Sequence, residues 1–173
     1  VGTYRVCFVC SGNICRSPMA EAVLRDLAAQ SGLDVEADSA GTGDWHVGER
    51  ADLRALKTLT EAGYPPLEHR ARQFDRSWFA ERDLIVALDA GHLRTLRQWA
   101  DDDETRSRIR LLRSFDPAIG ADVTGPGLDV ADPYYDGESA FLTVLGQIEA
   151  AGEGLGQERV AELHIAQEAL EIR

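Results

Sequence analysis

A chain of 173 residues, 44% hydrophobic and 28% charged, is long enough to bury one sizeable core, and a single domain over 1–173 is expected. Its formal net charge of -12 argues against nucleic acid as a bulk partner and leaves any attraction for an anionic ligand to a local feature. The three cysteines fall within the first 15 residues, which excludes a disulfide framework. No apolar run approaches a membrane span and no charged-then-apolar leader opens the chain, so a cytoplasmic protein with no membrane partner is expected.

Taken in order, Tyr4-Arg5-Val6-Cys7-Phe8-Val9 is rich in β-branched and aromatic residues and reads as a buried strand. Beyond a short loop, Pro18 opens a helix over about 18–31, with Gly32 as its stop. Residues 35–40 read as a short strand leading into the Gly41-Thr42-Gly43 loop. Leucines at 53, 56 and 59 favour a helix over about 51–62, closed by Gly63 and Pro65-Pro66. The continuous apolar run Leu84-Ile85-Val86-Ala87-Leu88 marks a strand covered on both faces, followed by a helix over about 90–99. Ile109-Arg110-Leu111-Leu112 is a weaker strand, and 114–135, with Pro117, Pro126 and Pro133, reads as a long loop of the kind that is functional or mobile. Two helices, about 138–151 and 157–172, complete the chain. This alternation predicts an α/β fold, a parallel sheet with helices on both faces and ligands at the carboxyl ends of its strands.

The chemistry concentrates between the first strand and helix, in Cys10-Ser11-Gly12-Asn13-Ile14-Cys15-Arg16-Ser17. Amides of a tight loop at a helix N-terminus converge on an anion, and Arg16 adds a two-pronged donor for phosphate oxygens. The same field favours the thiolate of Cys10, a nucleophile beneath a phosphate site. With one glycine and no Gly-Lys-Ser/Thr ending, the loop is no nucleotide P-loop. The plainer alternative is an ordinary strand–helix turn containing a cysteine and an arginine.

Val9-Cys10-Ser11-Gly12-Asn13-Ile14-Cys15-Arg16-Ser17-Pro18 resembles the signature of the low-molecular-weight protein tyrosine phosphatases, and Asp132-Pro133-Tyr134-Tyr135 resembles the family's second motif. The resemblance runs over about 4–151 and is to actinobacterial-type members. It implies a three-layer fold around a four-stranded sheet in the order 2-1-3-4. It also implies hydrolysis of phosphotyrosine through a phospho-cysteine. Cys10 is then the nucleophile, and Arg16 with loop residues Ser11, Gly12, Asn13, Ile14, Cys15 and Ser17 the phosphate cradle. Ser17 would steady the Cys10 sulfur, although a helix-cap role is open to it as well. Asn13 would brace the loop, with partners at Ser39 and His69. Asp132 would protonate the leaving phenolate and then activate water, from a partly buried place; without the resemblance, Asp-Pro reads first as a turn opening, and only the match to Asp-Pro-Tyr-Tyr singles out Asp132. A thiolate and a protonated carboxyl together imply a bell-shaped pH profile with an acidic optimum.

Trp45, Tyr134 and Tyr135 would line the cleft, with core packing the other reading of these aromatics. Ile14 is the bulkier residue of the tyrosine phosphatases rather than the Thr of phosphoarginine hydrolases. Cys15 would form a reversible disulfide with Cys10 or merely pack under the loop. Cys7, inside the strand, reads as a small buried apolar residue. Phosphotyrosine proteins are the expected partners and inorganic phosphate or other oxyanions the expected small ligands, with no cofactor and no metal. Export without a signal peptide is also compatible with the resemblance. Two rivals stand beside this reading: an arsenate reductase-like enzyme and a non-catalytic phosphate-binding module of the same fold. The run Asp101-Asp102-Asp103-Glu104 reads as a solvated turn, and His92 and His164 as surface residues.

Overall fold

The computed structural model describes residues 2–120 and 122–172; the part of the long-loop expectation that falls on 121 lies outside them. A four-stranded parallel sheet in the order β2-β1-β3-β4 organises the chain. Its strands are β1 (Tyr4–Cys10), β2 (Val35–Gly41), β3 (Leu84–Ala87) and β4 (Ile109–Leu111). Among the described residues five α-helices accompany it: α1 (Arg16–Ser31), α2 (Leu53–Glu61), α3 (Ala90–Trp99), α4 (Asp103–Ser107) and α5 (Glu138–Glu171).

Strand alternation divides the core in two. Val6 and Phe8 face a cluster built with Met19, Leu24, Phe141 and Ile148 of α1 and α5. Cys7 and Val9 face the other, with Leu96 of α3 and the aromatics Phe74 and Phe79. Helices therefore cover both faces, as the continuous apolar run of β3 requires. Trp78 and Trp99 pack against Phe74 at 5.5 and 6.4 Å between ring centres, which makes them core-edge residues. Among the described residues no helix is long and apolar enough to cross a membrane.

Register positions the site. Val9 pairs with Ala40 on one side and Ala87 on the other, so β1, β2 and β3 end at one level. Because the chain leaves β1 for one neighbour and later returns to its opposite side, the carboxyl end of β1 is the topological switch point. The loop holding Cys10 starts there.

Two expectations change. The two terminal helices are one, Glu138–Glu171, although Gly152, Gly154 and Gly156 stand where a break was expected. Two of these glycines serve close packing instead. A Cβ on Gly154 would lie 1.8 Å from the Phe115 carbonyl oxygen, and one on Gly156 would lie 2.8 Å from Leu27 Cδ2. The acidic run at 101–104 is not a plain turn: the Asp102 carboxylate accepts the Thr105 amide at 2.7 Å and caps α4.

Candidate active site

The loop between β1 and α1 is curled by one residue. Asn13 has a φ of 57°, the left-handed region that asparagine tolerates better than most side chains. Its side chain then holds the curl from within. Asn13 Nδ2 donates to Ser17 Oγ (2.8 Å) and Ser39 Oγ (2.9 Å), and Asn13 Oδ1 accepts the Arg72 amide at 3.0 Å. His69 Nε2 lies 2.7 Å from the Asn13 carbonyl oxygen. Burial lowers the pKa of His69 and favours the neutral ring, whose N–H donates to that carbonyl. Ser39 in turn donates to the buried carboxyl of Glu21 at 3.1 Å, whose pKa burial raises.

The loop after β2 closes in from the side. Thr42 and Gly43 donate their amides to the carbonyls of Cys10 and Ser11 at 2.8 and 3.0 Å. Gly41 permits this approach, since a Cβ there would lie 2.5 Å from the Ser11 oxygen. These two bonds engage the carbonyls of Cys10 and Ser11 and tie the loop to the end of β2. No side chain among the described residues caps the first turn of α1, so its N–H groups remain available to an anion.

Cys10 is buried, with its sulfur 2.9 Å from Ser17 Oγ. Arg16 is 3% exposed and shares Nη1 between Asp89 Oδ2 and the Val130 carbonyl, both at 2.9 Å. Its Nη2 faces Asp132 Oδ2 at 3.7 Å. The Asp132 side chain is half exposed and accepts the Tyr134 amide at 3.1 Å, so the Asp-Pro turn and the placement of the carboxylate coexist.

Cys10, Arg16 and Asp132 line one cleft of about 420 Å³, together with Trp45, Tyr134 and Tyr135. Packing into the core does not account for the aromatics, since Trp45 is 69% exposed and Tyr135 is 90% exposed. Trp45 lies over Gly43, where a Cβ would meet its ring at 1.9 Å. Tyr134 and Tyr135 meet edge to face, 4.9 Å between centres. A larger hollow of about 800 Å³ lies elsewhere, beside β2, but its Arg5, Arg25 and Arg82 are each paired with a carboxylate and it holds no nucleophile. Chemistry rather than size therefore singles out the cleft at Cys10.

Ile14 and Cys15 complete the loop; burial pushes the Cys15 thiol well up, with Asp52 and Cys10 adding to it. Two residues that sequence reasoning passed over, and one that it placed on the surface, also belong to this region. His46 lines the cleft beside Trp45, its ring so close to Gly12 that a Cβ there would lie 2.7 Å away. Arg54 lies over the Tyr134 ring at 5.5 Å and donates to the Asp136 carbonyl at 3.2 Å, tying α2 to the loop of Asp132. His92, expected on the surface, is 4% exposed, because the first turn of α3 is pressed against the loop. The adjacency of His46 to Trp45 offered a signal, and Asp89 three residues before His92 a capping one; the contacts of Arg54 with Tyr134 and Asp136 and of His92 with Ser11 join residues distant in the chain.

A sequence model of the family described as low molecular weight phosphotyrosine protein phosphatase matches residues 5–165. The low molecular weight protein-tyrosine-phosphatase of Streptomyces coelicolor is 58% identical over 155 residues, 88% of this chain and 92% of that one. Among solved structures, a protein tyrosine phosphatase from Entamoeba histolytica with Hepes in its active site superposes with a TM-score of 0.82, at 32% identity over 95% of this chain and 99% of that one. Vibrio vulnificus Wzb in complex with benzylphosphonate superposes with a TM-score of 0.76, at 28% identity over 91% and 99% of the two chains.

Proposed function

The chain belongs to the low molecular weight phosphotyrosine protein phosphatase family, and from that membership we propose that it hydrolyses phosphotyrosine and small aryl phosphates through a phospho-cysteine on Cys10. One observation carries the proposal: the Cys10 sulfur, the Arg16 guanidinium and the Asp132 carboxylate line the same cleft. In the first step the thiolate attacks phosphorus in line, forming the S–P bond as the bond to the phenolic oxygen breaks. Protonated Asp132 gives its proton to the departing phenolate. The resulting carboxylate then takes a proton from water as that water cleaves the S–P bond and releases phosphate. The amides of 11–16 and Arg16 stabilise the equatorial oxygens throughout.

Substrate choice follows from the walls. A phosphate held against buried Arg16 places the attached ring between Trp45, His46 and the Tyr134–Tyr135 pair. Ring-to-ring contact favours an aryl ester over the short stem of phosphoserine. A benzylphosphonate-like shape, the ligand named for the Vibrio protein, fits the same demand. Proteins bearing phosphotyrosine in the cytoplasm, and phosphate or similar oxyanions, are the partners this reading implies.

Steady-state hydrolysis of 4-nitrophenyl phosphate, a phosphotyrosine peptide, a phosphoserine peptide and phosphoarginine tests the proposal, with arsenate reduction assayed beside them. Turnover of the two aryl esters is expected, lost in Cys10→Ser. Asp132→Asn is expected to lower turnover of the peptide by about 10²–10⁴-fold, the usual reach of a general acid. Preference for phosphoarginine, reduction of arsenate, or full activity in Cys10→Ser would overturn it.

A further inference from the structure

The first turn of α3 grips the phosphate loop at both ends. Asp89 caps this helix: its Oδ1 accepts the His92 amide at 3.0 Å, and its own amide donates to His92 Nδ1 at 3.2 Å. With Nδ1 accepting, the proton of the neutral ring sits on Nε2, which lies 2.8 Å from Ser11 Oγ. Asp89 Oδ2 is left for Arg16 Nη1. Two residues of one helical turn thus hold the residue after the nucleophile and the guanidinium that closes the loop. His92 lies outside the cleft lined by Cys10 and faces a polar groove behind the loop, so it touches the loop and not the reacting atoms.

Resting on the phosphatase reading above, we propose that His92 is a positioning residue for the phosphoryl group, fixing the phosphate loop through Ser11 and aiming Asp89 at Arg16 through the helix cap. Amides that must converge on three oxygens tolerate little misplacement, and a left-handed residue at the loop's centre stores a tendency to uncurl. A hydrogen bond from a buried ring to Ser11 opposes that tendency. Losing it takes away the bond that ties Ser11 to α3.

Two substitutions separate this role from simple helix capping. His92→Asn keeps a side-chain acceptor for the Asp89 amide but is too short to reach Ser11. Ser11→Ala removes the other partner without touching the cap. Phosphate affinity by titration calorimetry, kcat and KM for 4-nitrophenyl phosphate, and thermal midpoint are measured for wild type, both singles and the double variant. Each single is expected to weaken phosphate binding and raise KM by roughly three- to tenfold, the range of one hydrogen bond. The double variant should be no weaker than the worse single, because both remove one interaction. His92→Gln, long enough to reach Ser11, should recover part of the affinity. Additive losses, or a lowered midpoint with phosphate affinity and KM unchanged, would overturn the proposal in favour of capping alone. A wild type that neither binds phosphate nor turns over substrate would instead remove the phosphatase reading, and this inference with it.

Discussion

The Ser17 hydroxyl lies 2.9 Å from the Cys10 sulfur while accepting a hydrogen bond from Asn13 Nδ2 at 2.8 Å. The only other acceptor within reach of its proton among the described residues, the Ala40 carbonyl, is at 3.4 Å. The proton is therefore directed at sulfur. A hydrogen bond to an ionised partner contributes about 1.5–3 kcal/mol, so Ser17→Ala should lower kcat by about 10- to 100-fold with a much smaller change in KM. Presteady-state kinetics with 4-nitrophenyl phosphate would locate the loss in formation or breakdown of the phospho-cysteine.

Cys15 offers a second thiol in the same loop, and burial keeps it protonated by pushing its pKa up, with the charges of Asp52 and Cys10 acting the same way. Peroxide should therefore oxidise Cys10 first, to a sulfenic acid, which the Cys15 thiol can condense with to give a disulfide and water. Activity lost to dilute peroxide should return with dithiothreitol in the wild type and fail to return in Cys15→Ser. Mass spectrometry of the oxidised protein, showing a loss of two hydrogens, checks the disulfide directly.

His92 also makes stability depend on pH. Burial draws its pKa from the ordinary 6.5 down to about 4; Arg16 acts with burial, and Asp89 opposes it. Between these values the unfolded chain binds a proton that the folded chain refuses, so stability is complete above about 6.5 and declines as pH falls towards about 4. The slope from this one group is at most about 1.4 kcal/mol per pH unit. Half-buried His69, shifted the same way by burial, adds to it. Urea denaturation at intervals from neutral to acid pH should show His92→Asn losing stability less steeply than the wild type.

The glycines of α5 give opposite predictions within one helix. Gly146 has nothing within 4 Å of a Cβ position, so Gly146→Ala should stabilise the protein by about 0.5–1 kcal/mol through helix propensity. A Cβ on Gly154 would lie 1.8 Å from the Phe115 carbonyl oxygen, a backbone group that cannot swing aside. There the strain of overpacking, about 1–3 kcal/mol or more, exceeds the propensity gain, and Gly154→Ala should destabilise. Urea midpoints of the two variants moving in opposite directions would confirm the packing account.

The chemistry of the phosphate loop could be read along the chain because its parts are contiguous: Cys10, Asn13, Arg16 and Ser17 belong to one strand–loop–helix turn, whose local geometry follows from residue types. The four strands were legible for the same reason, since hydrophobic periodicity reports whether a segment is covered, and by that measure β1 and β3 could only be interior. Periodicity does not report what does the covering. That Arg16 leans on Asp89 and Val130, that His92 is buried against Ser11, and that Asp132 comes to the cleft of Cys10 depend on elements far apart in sequence. The same limit explains α5, read along the chain as two helices and found as one, where the approach of the Phe115 backbone accounts for the glycine at 154. Propensity is settled between neighbours along the chain; which side chain meets which loop is settled by how the helices pack on the sheet.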